Sequence, residues 1–115
     1  MFNREGLNIP PTILKIMAHK LYNYQGQEVY LETNSYANNG NLAVCMKTPE
    51  GDLVDVITTN LNHQLQSQSM AFLDINNHPD IGKWMEKNGL AAPMFLSIRS
   101  GFVSYPLYTI FTSKF

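Results

Sequence analysis

The chain has 115 residues, of which 44% are hydrophobic and 15% charged, a composition that excludes a disordered protein and fits a single folded domain. The net charge of −1, with Lys and Arg scattered along the chain, argues against tight nucleic-acid binding. No apolar run approaches the ~20 residues of a membrane span, and a lone cysteine, Cys45, is typical of the reducing cytoplasm. We therefore expect a cytoplasmic protein that does not bind membranes.

The chain divides at about residue 20. Residues 1–19 predict an N-terminal arm or a short helix, because residues 1–11 show little periodicity whereas the apolar side chains that follow lie on a helical stripe. The end of that stripe, residues 21–24, is equally compatible with the start of a strand. Residues 20–115 are predicted to form a single α+β domain.

Three strands are predicted in the first half of this domain. Residues 28–36 alternate apolar and polar side chains with the period of two that a strand imposes. Asn39-Gly40 follows, which is the strongest short-range signal for a β-hairpin, and it leads into a second strand at residues 42–46. Residues 53–61 are rich in β-branched side chains and predict a third strand. The three strands and their short turns predict an antiparallel meander.

A helix is predicted to begin at Pro79, because proline is favoured in the first helical turn, and to end at Asn88-Gly89. We expect Trp84 to lie on its packed face, and residues 62–69 to form a surface loop before it.

Residues 94–100 and 105–112 predict a final pair of strands that turns at Ser100-Gly101, and Pro106 indicates a sheet edge or a bulge. The predicted fold is therefore α+β: an antiparallel sheet of about five to seven strands, a meander plus a C-terminal hairpin, with one α-helix on a face. A short N-terminal helix is a possible further element of this fold.

Several separated motifs carry a family resemblance: residues 36–44, 59–61, 71–77, 88–90, 99–102 and 105–108. In this order they resemble domain-of-unknown-function family 4313, from about Lys20 to the C-terminus. The resemblance implies a compact cytoplasmic module from bacteria such as Bacteroides and Clostridia, often encoded near mobile elements. The family has no assigned activity, so the resemblance supplies no catalytic residue.

The segment 74–80 invites comparison with a calcium loop. However, the glycine position of that loop holds Pro79 here, and the position of its bidentate glutamate holds Met85. We interpret the segment as a helix cap and predict no metal site.

Cys45 could act as a nucleophile with His78 as its base and Asp74 as the orienting group, but no basic neighbour activates the thiol. A buried structural thiol is the favoured interpretation. We predict no catalytic residue and no cofactor.

Arg99 lies beside a glycine turn and near aromatic residues, a pattern that can bind a carboxylate, a phosphate or a base face. The alternative is a hairpin whose aromatic side chains pack in the core while Arg99 pairs with an acidic neighbour. Turn formation explains residues 37–40, but Tyr36 could be exposed for contact. The candidate binding residues are therefore Tyr36, Asn38, Asn39, Arg99 and Tyr105.

The function that we expect is a non-enzymatic binding or accessory module, linked to a mobile element. Two other classes stay open, namely a small enzyme that uses Cys45 and His78, and a weak nucleic-acid-binding accessory protein. The partner is unknown from the sequence, and a protein partner or a homodimer through edge strands would fit.

Overall fold

The computed structural model describes residues 19–115, so the predicted arm or helix at residues 1–19 lies, apart from His19, outside the described residues. The described part contains eight strands, one α-helix and a short 3₁₀ helix. Their bounds are β1 Tyr22–Tyr24, β2 Gln27–Ser35, β3 Leu42–Lys47, β4 Leu53–Val56, β5 Thr58–Thr59, β6 Met70–Leu73, α1 Ile81–Lys87, β7 Ala91–Ser100, β8 Val103–Ile110 and the 3₁₀ helix Thr112–Lys114.

The first sheet is antiparallel, with the strand order β1-β2-β3-β4. Its central register pairs Leu31 with Met46 and Thr33 with Val44. Because side chains alternate between the two faces of a strand, Leu31, Val44 and Met46 point into the core. The turn between β2 and β3 contains Gly40 at φ +72°, a left-handed conformation that glycine adopts at low cost. The predicted meander is confirmed.

The second sheet is also antiparallel, with the order β5-β6-β8-β7. The single strand predicted at residues 53–61 is wrong, because the chain crosses from the first sheet to the second at Ile57. The Ile57 amide donates to the Val44 carbonyl of the first sheet, and its carbonyl accepts from the Asp74 amide. Eight strands in two sheets thus replace the five to seven predicted in one.

The α+β class with one helix packed on antiparallel sheets is confirmed. One apolar core is shared by the two sheets and the helix, and its members include Val29, Leu31, Val44, Met46, Ile57, Leu73, Ile81, Met85, Leu90, Tyr108 and Ile110.

Helix α1 has seven residues and begins two residues after the predicted Pro79. Asp80 occupies the N-cap position, but its side chain makes no capping bond and instead accepts from the Tyr24 hydroxyl. Trp84 is half-buried, and its Nε1 donates to the Asn23 carbonyl. The predicted stop is confirmed, since Gly89 follows the helix at φ +70°.

Strands β7 and β8 are joined by a two-residue turn in which Gly101 has φ +62°. Strand β6 pairs only with residues 107–109 of β8, so the outer half of the hairpin extends past the sheet. We call residues 94–106 the distal ribbon. Within residues 19–115 no third strand pairs with either of its edges.

Candidate functional site

The turn between β2 and β3 holds three of the predicted binding residues: Tyr36, Asn38 and Asn39. The Tyr36 hydroxyl and the Thr58 Oγ1 lie 2.9 Å apart, and burial raises the pKa of Tyr36. Asn60 joins the two asparagines, because its Nδ2 donates to Asn38 and its Oδ1 accepts from Asn39. The turn is therefore fastened to the second sheet by its own polar side chains.

Further amides fasten the loop of residues 60–69 to the same turn. The buried Asn41 donates from Nδ2 to the His63 carbonyl, and its Oδ1 accepts from the Leu65 amide. Gln64 and Gln68 donate to carbonyls of the turn. These bonds explain the many amides of this segment as intramolecular partners, and the binding role of Tyr36, Asn38 and Asn39 stays a prediction.

The other two predicted binding residues, Arg99 and Tyr105, belong to the distal ribbon. Arg99 lies opposite Ser104, while Tyr105 lies opposite Ile98 in the adjacent pair. Adjacent pairs of a ladder face opposite sides, so the arginine and the tyrosine cannot grip one ligand together. The Arg99 Nε donates to the Gly101 carbonyl. This bond takes the place of the pairing with an acidic neighbour that the sequence analysis had considered. Among the described contacts, none joins this pair to the β2–β3 turn.

A polar network near the helix start is the strongest candidate for chemistry. The His78 Nε2 lies 2.7 Å from Asp55 Oδ2, and its Nδ1 lies 3.4 Å from the Tyr24 hydroxyl. That hydroxyl donates to Asp80 at 2.9 Å. Burial, followed by the hydrogen bond to Asp80, raises the pKa of Tyr24 to about 12. Both ring nitrogens of the histidine thus face protein groups, and the network ties β1, β4 and the segment before α1 together.

Cys45 and His78 do not meet. Cys45 lies next to Met46 on β3, and Met46 points into the core opposite Asp55, the residue that contacts His78. Successive residues point to opposite faces, so the thiol lies on the other face of the first sheet. Burial raises the pKa of Cys45, which leaves the thiol protonated at neutral pH. The geometry gives the Cys45–His78 enzyme no support.

A polar groove of about 330 Å³ lies beside the end of β2, and its lining includes Thr33, Asn34, Ser35, Leu42, Gln68 and Thr112. None of these side chains titrates near neutral pH, so the groove offers no general acid or base. Within residues 19–115, no three His, Cys, Asp or Glu side chains are grouped so that they could hold a metal ion.

The distal ribbon carries four of the six large apolar side chains that are exposed within the described residues; the other two, Leu53 and Val54, lie at the start of β4. Phe95 is 93% exposed and Phe102 is 98% exposed, while Leu96 and Met94 are 55% and 40% exposed. Soluble proteins expose single apolar residues routinely, but a series of four on one projecting hairpin is typical of an interaction site.

A bulge in β7 sets the direction of Phe95. Pro93 pairs with Tyr108 and Ser97 pairs with Pro106, so three residues of β7 lie opposite one residue of β8. Phe95 has φ +58° at the centre of this bulge, a conformation that costs a bulky residue about 1–2 kcal/mol. The fold therefore holds a strained backbone that projects a phenylalanine into solvent.

Below the bulge lies an apolar groove of about 270 Å³, lined by Pro93, Phe95, Leu96, Ser97, Pro106, Leu107 and Tyr108. Arg99 is the one charged residue in the sequence of the ribbon. An apolar, nearly uncharged ribbon with a groove at its base suits a protein surface better than a phosphate backbone. We take the distal ribbon as the candidate functional site.

The sequence analysis selected Arg99 and Tyr105 in this region as candidate binding residues, but it did not select Phe95. Residues 94–96 are three consecutive apolar side chains in a strand that should alternate, and this break in the pattern is the signal that could have indicated the bulge.

The fold and the site together define a small two-sheet α+β protein with a projecting apolar hairpin. The chain belongs to the family described as Domain of unknown function (DUF4313), whose model matches residues 30–115. The family resemblance is thus confirmed, with a match that begins about ten residues after the expected Lys20. Searches of curated proteins and of solved structures gave no match.

No helix within the described residues is long and apolar enough to span a membrane.

Proposed function

We propose that the protein is a non-enzymatic binding module, and that the distal ribbon is the surface through which it binds another protein. The observation that carries the proposal is the bulge, because a strained backbone at Phe95 serves no packing purpose while its side chain is 93% exposed. Selection for stability alone would favour a glycine or an asparagine at such a position.

The same proposal includes a cytoplasmic location in a bacterium and an accessory role near a mobile element. Its support is the single partly buried thiol and the family resemblance. A role in nucleic-acid binding has less support, because the described basic residues are spread over separate parts of the fold: Lys20 before β1, Lys47 on β3, Lys83 and Lys87 on α1, Arg99 on β7 and Lys114 in the 3₁₀ helix.

The test is capture of partners from an extract of the native host by four forms of the purified protein. These are the wild type, a ribbon variant with Phe95→Asn and Phe102→Ser, a turn variant with Asn38→Ala, and a control with Asp52→Ser in the exposed β3–β4 turn. A partner that the ribbon variant alone loses, and that binds directly once purified, supports the proposal. The same capture by all four forms contradicts it.

Arg99→Ala serves as a further arm of this experiment. Loss of the partner with Arg99→Ala or Asn38→Ala, but not with the phenylalanine changes, would move the binding surface to the polar residues. An empty capture under several growth conditions would contradict a binding module of any kind.

A further inference from the structure

Among the strands of residues 19–115, β7 is an edge strand, and its outer edge supports an inference that rests on the proposed binding role of the distal ribbon. The two-residue turn is closed by Ser100 and Val103, and such a closing pair exchanges both backbone hydrogen bonds. In an antiparallel ladder bonded and non-bonded pairs alternate, so Ile98 and Tyr105 form the next bonded pair.

The intervening pairs are then non-bonded: Arg99 with Ser104, and Ser97 with Pro106. Pro106 agrees with this assignment, since it has no N–H to offer β7. The backbone N–H and C=O groups of Ser97 and Arg99 therefore point away from β8, toward the side of β7 that no described strand pairs with. Pro106 also removes a donor from the outer edge of β8, which leaves β7 as the better edge for pairing.

We propose that a second copy of this chain occupies that edge, with the two β7 strands antiparallel about a two-fold axis at Ile98. In this register Ser97 of each copy pairs with Arg99 of the other. Their outward groups form four backbone hydrogen bonds. The interface is isologous, so the same short strand supplies both sides.

Two neighbouring registers are less favourable. An axis at Arg99 places the two guanidinium groups directly opposite each other, which like charges disfavour. An axis at Ser97 draws the bulge at Phe95 into the ladder, where its positive φ breaks the pairing. The axis at Ile98 avoids both and sets the isoleucine against its own counterpart in a close non-bonded pair.

The exposed apolar residues fit this arrangement. With the axis at Ile98, the paired segment ends before the bulge at Phe95, so the turn that carries Phe102 in one copy lies close to residues 94–96 of the other without a fixed register. Aromatic side chains bury about 150–250 Å² each, so the four phenylalanines of a dimer supply roughly 600–1,000 Å². Together with Met94, Leu96 and the strands themselves, this reaches the ~1,000 Å² of buried surface that a specific interface needs.

The first experiment uses the purified full chain and charge reversal at the axis. Wild type should increase in mass from 13.0 kDa toward twice that value in light scattering as its concentration approaches about 1 mM. Ile98→Lys and Ile98→Glu each place like charges across the axis and should stay monomeric. An equimolar mixture of the two should form dimers again, which a merely damaged ribbon could not do.

The second experiment keeps the inference testable if those charges unfold the ribbon. Non-bonded antiparallel pairs have Cα atoms about 4.5 Å apart, a separation that a disulfide can span. In a Cys45→Ser background, Ile98→Cys should form a covalent dimer on mild oxidation. Asp52→Cys in the same background should not.

A wild type that stays monomeric, a mixture that stays monomeric, or equal cross-linking of the two cysteine variants would overturn the inference. A monomer that still binds a host protein through the ribbon would contradict the self-pairing and leave the proposed function intact. A dimer that captures no host protein would support the self-pairing and contradict the binding of a host protein.

Discussion

The two-sheet body and the distal ribbon are built from the same antiparallel ladder but treat apolar side chains in opposite ways. In the body, Val44 and Ile57 are fully buried between the sheets. In the ribbon, Phe95 and Phe102 are almost fully exposed. A two-stranded ribbon is marginal by itself in water. Within residues 19–115 no third strand pairs with this one, so its side chains gain little from burial and remain available for contact. Under the proposed function, stability and binding thus depend on different parts of the chain.

The largest expected difference between the two regions is in how much the free energy of unfolding falls when a side chain is truncated. Ile57→Ala leaves a cavity where the chain crosses between the sheets, and should lower the free energy of unfolding by about 3–4 kcal/mol. Phe102→Ser removes an exposed side chain and should change it by less than about 0.5 kcal/mol. Urea unfolding of both variants measures this contrast, and equal costs would show that the ribbon is packed.

Within the body, the amide fastening of the β2–β3 turn should be the next largest effect. Asn41→Ala leaves the Leu65 amide and the His63 carbonyl without their partner, at a cost of about 2 kcal/mol. Asn38→Ala, in the exposed part of the same turn, is the matched control and should cost well under half as much. Similar losses for both would contradict the described hydrogen bonds.

Gly82 tests how closely α1 packs on the second sheet. A Cβ at this position would lie 2.5 Å from the Tyr108 hydroxyl oxygen, which donates to Glu86. Gly82→Ala should therefore destabilise the protein by about 1–2 kcal/mol, although alanine is the better helix former. Tyr108→Phe removes the crowded oxygen, so in that background Gly82→Ala should cost less. Stabilisation by Gly82→Ala alone would contradict the packing.

At alkaline pH, two buried tyrosines should make the largest contribution to the pH dependence of the stability of the body. Burial, aided by hydrogen bonds to carboxylates, raises the pKa of Tyr24 and of Tyr108 to about 12 from 10.0. The folded state then holds these protons more tightly than the unfolded chain. Their contribution is complete below pH 10 and lost as pH rises toward 12. Urea midpoints should fall over this range, and less steeply for Tyr108→Phe. Identical slopes would contradict the prediction.

The smallest expected effect has the opposite sign and belongs to the ribbon. Phe95→Asn replaces a residue that is strained at positive φ with one that tolerates this conformation. The free energy of unfolding should rise by up to about 1 kcal/mol while binding through the ribbon falls. A drop in stability, measured by urea unfolding, would mean that Phe95 packs on the protein.

The sequence predicted the meander because alternation and Asn39-Gly40 are local signals that the tertiary structure does not override. It could not predict the break at Ile57, since a β-branched run looks the same whether it stays in one sheet or crosses to another. It placed the helix start two residues too early, because Pro79 and Asp80 form a turn in which the Ile81 amide donates to the His78 carbonyl, and Asp80 is held by Tyr24, which is distant in sequence.

The candidate site was predicted only in part, because its geometry also depends on contacts that are distant in sequence. Residue type indicated that Arg99 and Tyr105 lie in a hairpin, but only the register shows that they face opposite sides. Asn38 and Asn39 were correctly placed in a turn, while their partner Asn60 depends on a long-range approach of two loops. The conformation of Phe95 contradicts the preference of its residue type, so local reasoning misses it.

Amide hydrogen exchange by NMR tests the central claim most directly, because it observes both regions in one sample. The amides of Ser97 and Arg99 should exchange rapidly in dilute protein and become protected as concentration rises. Those of Ile98 and of the body should keep constant protection. Protection of Ser97 and Arg99 that is already present at high dilution, or a concentration effect confined to the body, would contradict the assignment of binding to the distal ribbon.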